Sequence, residues 1–166
     1  NVTAQSKTKV YGDQDPILTY MSIPEVGQTL PNGDLVSFEG DLSREEGEDA
    51  GVYAITQNTL NNSNYLIAYT SADFEITKRN LVVTANRKER VYGESNPTFT
   101  FTYNGLANGD IKMSTEPTIS STATQFSNVG TYPISLTGGA DSNYEFVLQS
   151  DLLIVLPKLL PITADA

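Results

Sequence analysis

The chain has 166 residues, 39 % of them apolar, and sets 10 Lys and Arg against 20 Asp and Glu, for a formal net charge of −10. It contains no Cys and no His, which excludes disulfides, thiolate nucleophiles, His general bases and Cys/His zinc sites. The acidic balance also argues against a nucleic-acid partner, because neutralising phosphates needs clustered Lys and Arg.

Short strands separated by turns are predicted along the whole chain. Alternating patterns and runs of β-branched and aromatic residues mark the strands, whereas clusters of Gly, Pro, Asn and Asp mark the turns. In chain order the predicted strands are residues 17–21, 52–56, 65–70, 73–77, 81–85, 98–103, 131–136, 144–148 and 152–156. No window has a long apolar period of 3.6 residues, so we expect no long helix.

Several motifs occur twice in the same order, which reveals an internal repeat. The recurring motifs are V-T-A at residues 2 and 83, V-Y-G at 10 and 91, N-G-D at 32 and 108, and N-Y at 64 and 143. The spacing between the copies changes by only a few residues, as expected for insertions and deletions in surface loops. Residues 1–79 and 80–157 are therefore expected to be two homologous domains.

A third repeat, or a linker, is expected at residues 158–166, because L-P-I-T-A at 160–164 matches L-V-V-T-A at 81–85. The junctions at 78–80 and 156–158 are short and are not rich in Gly or Ser. This composition predicts a semi-rigid array whose partners are the neighbouring repeats of the same chain.

The longest apolar run, residues 152–156, has the length of a strand, and no stretch approaches the ~18 apolar residues of a membrane span. We expect no membrane insertion in this segment. Because the run is apolar on both faces, we expect one face to pack against a neighbouring repeat or a loop. The start at Asn1 carries no signal-peptide pattern and no Met, so we expect a fragment of a longer protein.

Acidic residues are the candidates for a metal site. Carboxylate oxygens are the ligands that calcium prefers, but a solvated acidic loop is the more common meaning of such a run. The matching stretch of the second repeat, 118–125, has no acidic residue. We therefore expect no cofactor, with calcium as the alternative. The candidate ligands are Asp13, Asp15, Glu45, Glu46, Glu48 and Asp49.

Enzymatic activity is not expected. Glu39, Asp41 and Glu45 provide carboxylates for glycosidase-type chemistry, but such chemistry needs a deep site that shifts one pKa by burial. Units of about 80 residues have little room for that cleft. No G-x-S-x-G pattern is present either.

Tyrosines are the candidates for a binding face, since their rings stack on sugars. The D-x-G-x-Y pattern at 49–53, diluted to N-x-G-x-Y at 128–132, is typical of a tyrosine corner, an architectural feature. Recurrence between the repeats suits core architecture at least as well as a binding role for the other tyrosines. The remaining ligand candidates are Tyr20, Tyr69 and Tyr103.

The motifs together resemble the MBG repeat of the YGX type. The first copy matches closely, with K-V-Y-G-D-x-D-P-x-L-T-Y at 9–20 and G-D-L-S-R-E-x-G-E-D-x-G-x-Y-A-I at 40–55. The second copy lacks the L-S-R-E segment and has Pro133 where the first has Ala54. The resemblance implies tandem repeats of large bacterial surface or secreted proteins, including adhesins.

The fold class expected is mainly β, or α+β at most. The resemblance implies two tandem small β-grasp-like domains with little helix. The Gly-x-Tyr corner taken alone favours immunoglobulin-like β-sandwiches. The two folds differ by one short helix across the sheet, which would lie near 34–38 or 110–114.

The function expected is that of a non-enzymatic tandem repeat module of a bacterial cell-surface or secreted, extracellular protein, serving as a semi-rigid stalk or adhesion segment. The alternative is a carbohydrate- or mucin-binding module that uses exposed Tyr and acidic loops, with glycans as partners. Residues 1–79 hold 5 Lys and Arg against 12 Asp and Glu. This asymmetry makes the loop at 41–49 the first place to look for a further role.

Overall fold

The computed structural model describes residues 1–161, and the chain divides into two compact units, Asn1–Arg79 and a second from Asn80 onward. The strands of the first unit are β1 (Val2–Ala4), β2 (Lys7–Val10), β3 (Tyr20–Ser22), β4 (Ser43–Arg44), β5 (Gly51–Thr56), β6 (Tyr69–Thr70) and β7 (Ala72–Thr77). β8 (Arg79–Ala85) begins at the boundary between the units. It is followed by β9 (Lys88–Val91), β10 (Phe101–Asn104), β11 (Thr118–Ser121), β12 (Gly130–Thr137), β13 (Tyr144–Gln149) and β14 (Asp151–Leu156).

Each unit contains two small sheets with one shared topology. In the first unit, β1 lies between β3, which is antiparallel to it, and β6, which is parallel. The other sheet has the order β2-β7-β5-β4, with β2 parallel to β7 and the remaining pairs antiparallel. The second unit has the orders β10-β8-β13 and β11-β12-β14-β9. Strands β8 to β14 correspond in chain order to β1 to β7. With this correspondence both sheets have the same strand order in the two units, as the internal repeat predicts.

Alternation along the strands builds the core of each unit. Successive strand residues point to opposite faces, so Val2 and Ala4 are buried while Thr3 between them is exposed. The largest fully buried side chains of the first unit are Val2, Ile55, Leu60, Phe74 and Ile76. Those of the second unit are Leu81, Val83, Ile134, Leu153 and Val155.

The mainly β fold class is confirmed, because the described residues form strands, turns and loops with no helix. Neither stretch in which the β-grasp comparison placed a short helix is helical: residues 34–38 and 110–114 are loops. In the first, Gly33 donates to the Leu30 carbonyl and Leu30 donates back to that of Asp34. These bonds close a tight turn where the helix was expected.

Most predicted strands are present, with shifted bounds. The strand predicted at 65–70 is reduced to β6, because the Asn62 side chain accepts from the backbone N–H of Asn64 and of Tyr65. Such local bonds compete with a sheet ladder. The predicted strand at 17–21 is displaced to β3. Five strands were not predicted: β1, β2, β4, β9 and β11.

The apolar strand β14 has Leu153 and Val155 on its buried face, whereas Leu152 and Ile154 are half-buried. Its outer face is thus partly covered, and packing against a neighbouring repeat stays a prediction. Of the third repeat or linker expected at 158–166, residues 162–166 lie outside the described residues. Among the described residues no helix is long and apolar enough to cross a membrane.

Candidate functional site

Two buried cations lie behind the acidic loop of the first unit. Alternation along β2 turns Lys9 inward, and its side chain is 3 % exposed. Arg44, on β4, has a side chain that is 9 % exposed. The Arg44 guanidinium carbon lies 4.9 Å from the centroid of the Phe74 ring and 5.5 Å from that of Tyr53, a cation–π arrangement.

Each cation contacts the same two carboxylates. Lys9 Nζ donates to Asp15 Oδ1 at 2.6 Å and to Glu48 Oε2 at 2.5 Å. Arg44 donates from Nε to Asp15 Oδ2 at 2.6 Å and from Nη2 to Glu48 Oε1 at 2.5 Å. We call Lys9, Asp15, Arg44 and Glu48 the four-charge cluster. Charge-assisted bonds of this kind are among the stronger hydrogen bonds in proteins.

The cluster fixes the acidic loop at 45–49. Arg44 Nη1 donates to the carbonyl oxygens of Glu45 at 2.9 Å and of Gly47 at 2.6 Å. Gly47 has a φ of +144°, and a Cβ there would overlap the Tyr53 ring. The loop therefore closes onto the sheet only with glycine at this position.

The charges of the cluster support one another. Hydrogen bonding from Arg44, and then from Lys9, holds the pKa of the Asp15 carboxyl below its ordinary value. Hydrogen bonding from Lys9, and then from Arg44, lowers the pKa of Glu48. Burial alone would lower the pKa of Lys9, but hydrogen bonds to the two carboxylates outweigh it and raise that pKa. All four groups are therefore charged at neutral pH.

The structure distributes the calcium candidates among other contacts. Asp15 and Glu48 belong to the four-charge cluster, Asp13 pairs with Arg79, and Glu45 Oε2 accepts from the Ala54 N–H at 3.0 Å. The Asp49 carbonyl oxygen accepts from a tyrosine hydroxyl, and Glu46 is exposed. In the part of the chain that the structure describes, no group of three or more acidic residues is placed to hold a metal ion.

The second unit has a less charged version of the same arrangement. Arg90, on β9, is 5 % exposed and occupies the position of Lys9. Its Nε donates to Asn96 Oδ1 at 2.8 Å, and its Nη2 donates to the Thr124 carbonyl. Asn96, at the position of Asp15, donates from Nδ2 to the Ala123 carbonyl at 2.7 Å. A buried cation thus fixes the matching loop through neutral acceptors.

Two of the recurring motifs meet in a shared hydrogen bond. The Tyr65 hydroxyl donates to Asp34 Oδ2 at 2.7 Å, and the Tyr144 hydroxyl donates to Asp110 Oδ2 at 2.7 Å. N-G-D therefore provides the acceptor and N-Y the donor in both units. The bond joins two segments that are distant in sequence, so these motifs serve the architecture of the repeat.

The tyrosine corners are confirmed in both units. The Tyr53 hydroxyl donates to the Asp49 carbonyl at 2.9 Å, and the Tyr132 hydroxyl donates to the Asn128 carbonyl at 2.9 Å. Each bond spans the turn that precedes β5 or β12. The repeated Gly-x-Tyr pattern thus holds a corner, as expected from the sequence.

The three ligand candidates are each half-buried. The Tyr20 ring packs edge-on against Phe38, with 5.8 Å between the centroids. The Tyr69 hydroxyl donates to the Ile55 carbonyl at 2.8 Å. Tyr103 packs against Phe101, and burial raises the pKa of both Tyr69 and Tyr103. Tyr20 and Tyr69 belong to the first unit and Tyr103 belongs to the second. The three tyrosines therefore do not form one face of a single unit, and a sugar-binding face stays a prediction.

Sequence reasoning did not identify the buried cations Lys9, Arg44 and Arg90. A charged residue is rarely buried unless it is paired, and β2 and β9 contain too many charges to suggest strands. One signal was present in the sequence, because Lys9 and Arg90 each stand directly before the V-Y-G motif. A cation that recurs at the same position in two repeats points to a structural role.

Comparison with known protein families finds the same two-fold repeat that the motifs and the structure show. The family model for the MBG domain (YGX type) matches residues 1–75 and again 81–153. The search of curated proteins finds no match. The two matched regions fall on the two units described above and cover most of the chain. The chain therefore belongs to the MBG domain family of the YGX type and contains two tandem copies of that domain.

Proposed function

We propose that the chain is a non-enzymatic, extracellular segment of a bacterial surface or secreted protein, in which tandem domains act as spacers in a stalk that supports adhesion. The observation that carries the proposal is that the recurring motifs form bonds within their own domain. In both units the Asp–Tyr bond, the tyrosine corner and the buried cation connect parts of the same domain. A spacer domain needs such internal bonds and no ligand.

The short junction supports the same proposal. β7 ends at Thr77 and β8 begins at Arg79, so a single residue, Lys78, separates the strands. A junction of this length and composition leaves little chain to act as a flexible linker. The acidic surface would also keep an array of such domains soluble and mutually repelling.

Distance measurement between the units tests the proposal. The chain has no Cys, so Ser63→Cys and Ser142→Cys, at exposed positions, accept spin labels at matching turns of the two units. We expect a narrow distance distribution, and a broad one after a Gly-Ser segment is inserted behind Lys78. If the unmodified junction gives a distribution as broad as the inserted one, the stalk proposal fails.

A carbohydrate- or mucin-binding module is the second candidate, and a glycan array separates it from the first. Among the described residues, no hydrogen bond holds the hydroxyl of Tyr20 or of Tyr103 in the way that Tyr69 is held, but the Tyr103 hydroxyl is buried. Tyr20 is therefore the candidate to test. Saturable glycan binding that is lost in Tyr20→Ala and kept in Tyr92→Ala would favour the binding module over the spacer. Tyr92 is the matched control because it is exposed in the second unit.

A further inference from the structure

An exposed apolar row follows the edge strand β3. Within the described residues β3 pairs with β1 alone, so its other edge is available for pairing. Met21 and Ile23, two residues apart, are 61 % and 74 % exposed. Very short edge strands, charges and Pro normally prevent an exposed edge from pairing with another chain. β3 is three residues long and Pro24 follows Ile23, but residues 20–23 include no charge, and Met21 and Ile23 present large apolar side chains.

Two hollows extend this surface. One, of about 400 Å³, runs along residues 20–26 and includes Val26, which is 58 % exposed. The other, of about 150 Å³, shares Ile23 and is lined on its far side by Phe38 and Leu66. The Leu66 side chain is fully exposed. The row and both hollows form a continuous apolar surface, which we call the β3 surface, and exposed surfaces of this kind mark interaction sites.

The border of the β3 surface is acidic. Glu25 lines the larger hollow. Asp34 accepts from the Tyr65 hydroxyl beside the smaller hollow, and exposed Glu39 directly follows Phe38. Between Lys9 and Arg44, and again from Arg44 to Lys78, the sequence contains no Lys or Arg. The β3 surface therefore combines apolar side chains with acidic residues at its border, and the Asn1 amino group, which donates to the Ile23 carbonyl oxygen, also lines the smaller hollow.

The second unit shows that the fold does not require these apolar residues. β10 pairs with β8 as β3 pairs with β1, and Thr102 occupies the position of Met21. By the same register, Asn104 follows where the first unit has Ile23. The same edge in the second unit is thus polar, so the apolar row is a property of the first unit alone.

We propose that the β3 surface docks an extended, basic and apolar peptide segment of a partner protein, which adds a strand to the edge of β3. Apolar side chains of that segment would cover Met21 and Ile23, and its Lys or Arg would meet the acidic border. A second copy of this chain fits less well, because its net charge of −10 repels. This interaction goes beyond the proposed spacer role and does not depend on it.

A designed peptide tests the proposal on the full 166-residue chain. The probe is a fluorescein-labelled peptide of about nine residues that alternates Val and Lys, a length suited to strand addition. Two control peptides replace Val by Gly, or Lys by Glu. We expect saturable binding of the Val/Lys peptide alone, with amide chemical shifts changing at residues 20–26 and not at 101–104.

Variants decide whether the β3 surface is responsible. Met21→Thr with Ile23→Asn copies the second unit, and we expect it to weaken binding about tenfold or more while the melting temperature is kept. Thr102→Ala with Asn104→Ala is the matched control and should bind as the unchanged chain does. The proposal is overturned by no saturable binding up to about 1 mM, by equal binding of either control peptide, or by an unchanged affinity in the Met21/Ile23 variant.

Discussion

Arg44 shows how a single side chain joins three parts of the first unit. Its guanidinium packs on Phe74 of the core, bonds to Asp15 in the loop before β3, and bonds to Glu48 and two carbonyls in the acidic loop. Removing it would leave two carboxylates with Lys9 as their shared cation. A charge that loses its partner at a partly buried site is costly.

Replacement of Arg44 by Met tests this role. Because Asp15 and Glu48 are 41 % and 60 % exposed, solvent reduces the cost, and we expect the free energy of unfolding of the first unit to fall by about 1–3 kcal/mol. The control is Arg87→Met, which removes an exposed pair with Asp151 and should cost about 0–1 kcal/mol. Amide hydrogen exchange measures the free energy of unfolding of each unit separately. Equal effects of the two variants would contradict the role given to Arg44.

Acid should weaken the first unit before the second. The pKa values of Asp15 and Glu48 are lowered by the fold from ordinary values of 3.8 and 4.5. Their stabilisation is therefore complete above the unfolded pKa values and is lost as the pH falls through the folded ones. We expect the loss to begin below about pH 5 and to be reduced in Asp15→Asn with Glu48→Gln. Exchange rates that rise equally in both units would count against the cluster.

Added calcium is expected to leave the melting temperature unchanged. The oxygens of Asp15 and Glu48 already accept hydrogen bonds from two cations, and Asp13 is paired with Arg79. A hard cation would have to displace these partners to collect its oxygen ligands. Thermal melting with a few millimolar calcium and with chelator is the measurement. A calcium-dependent rise that the chelator reverses would restore calcium as a ligand.

At the level of elements, a strand can be predicted from the sequence where its inward positions are apolar, and it is missed where an inward position is charged. β5, β7 and β14 were predicted because their buried positions are Val, Ile, Leu or Phe. β2 and β9 were missed because their inward positions are Lys9 and Arg90, whose burial depends on partners in distant loops. The tyrosine corners were predictable because donor and acceptor lie four residues apart. The four-charge cluster joins residues up to 39 positions apart.

The acidic loop gives a prediction at this scale. In Gly47→Ala the new methyl group would overlap the Tyr53 ring, so the loop has to shift and the first unit should lose about 1–3 kcal/mol of stability. Gly33→Ala is the matched control, because Gly33 also has a positive φ but has open space around it. It should cost about 1 kcal/mol. Urea unfolding of both variants measures the difference, and an equal cost would show that the loop does not rest on Tyr53.

At the scale of the whole molecule, the chain contains one topology twice, and most residues singled out by their recurrence hold that topology together. The repeat, the two units and the family were accessible from the sequence, because order and spacing of motifs survive where individual residues change. The apolar β3 surface was not, because Met21 and Ile23 become notable only when the pairing of β3 shows them at an edge. The charged loop and the apolar edge differ between the two copies, and they are where functions beyond the proposed spacer role are to be sought.

Mechanical unfolding of single molecules tests most directly whether each repeat is held by its own internal bonds. The chain is pulled between handles at its two ends. Units with self-contained cores and bonds should unfold in two separate steps. Each step should release at most the extended length of one unit, which is about 280 Å for the 79 residues of Asn1–Arg79. A single cooperative step that releases the whole chain at once would contradict two self-contained spacer domains.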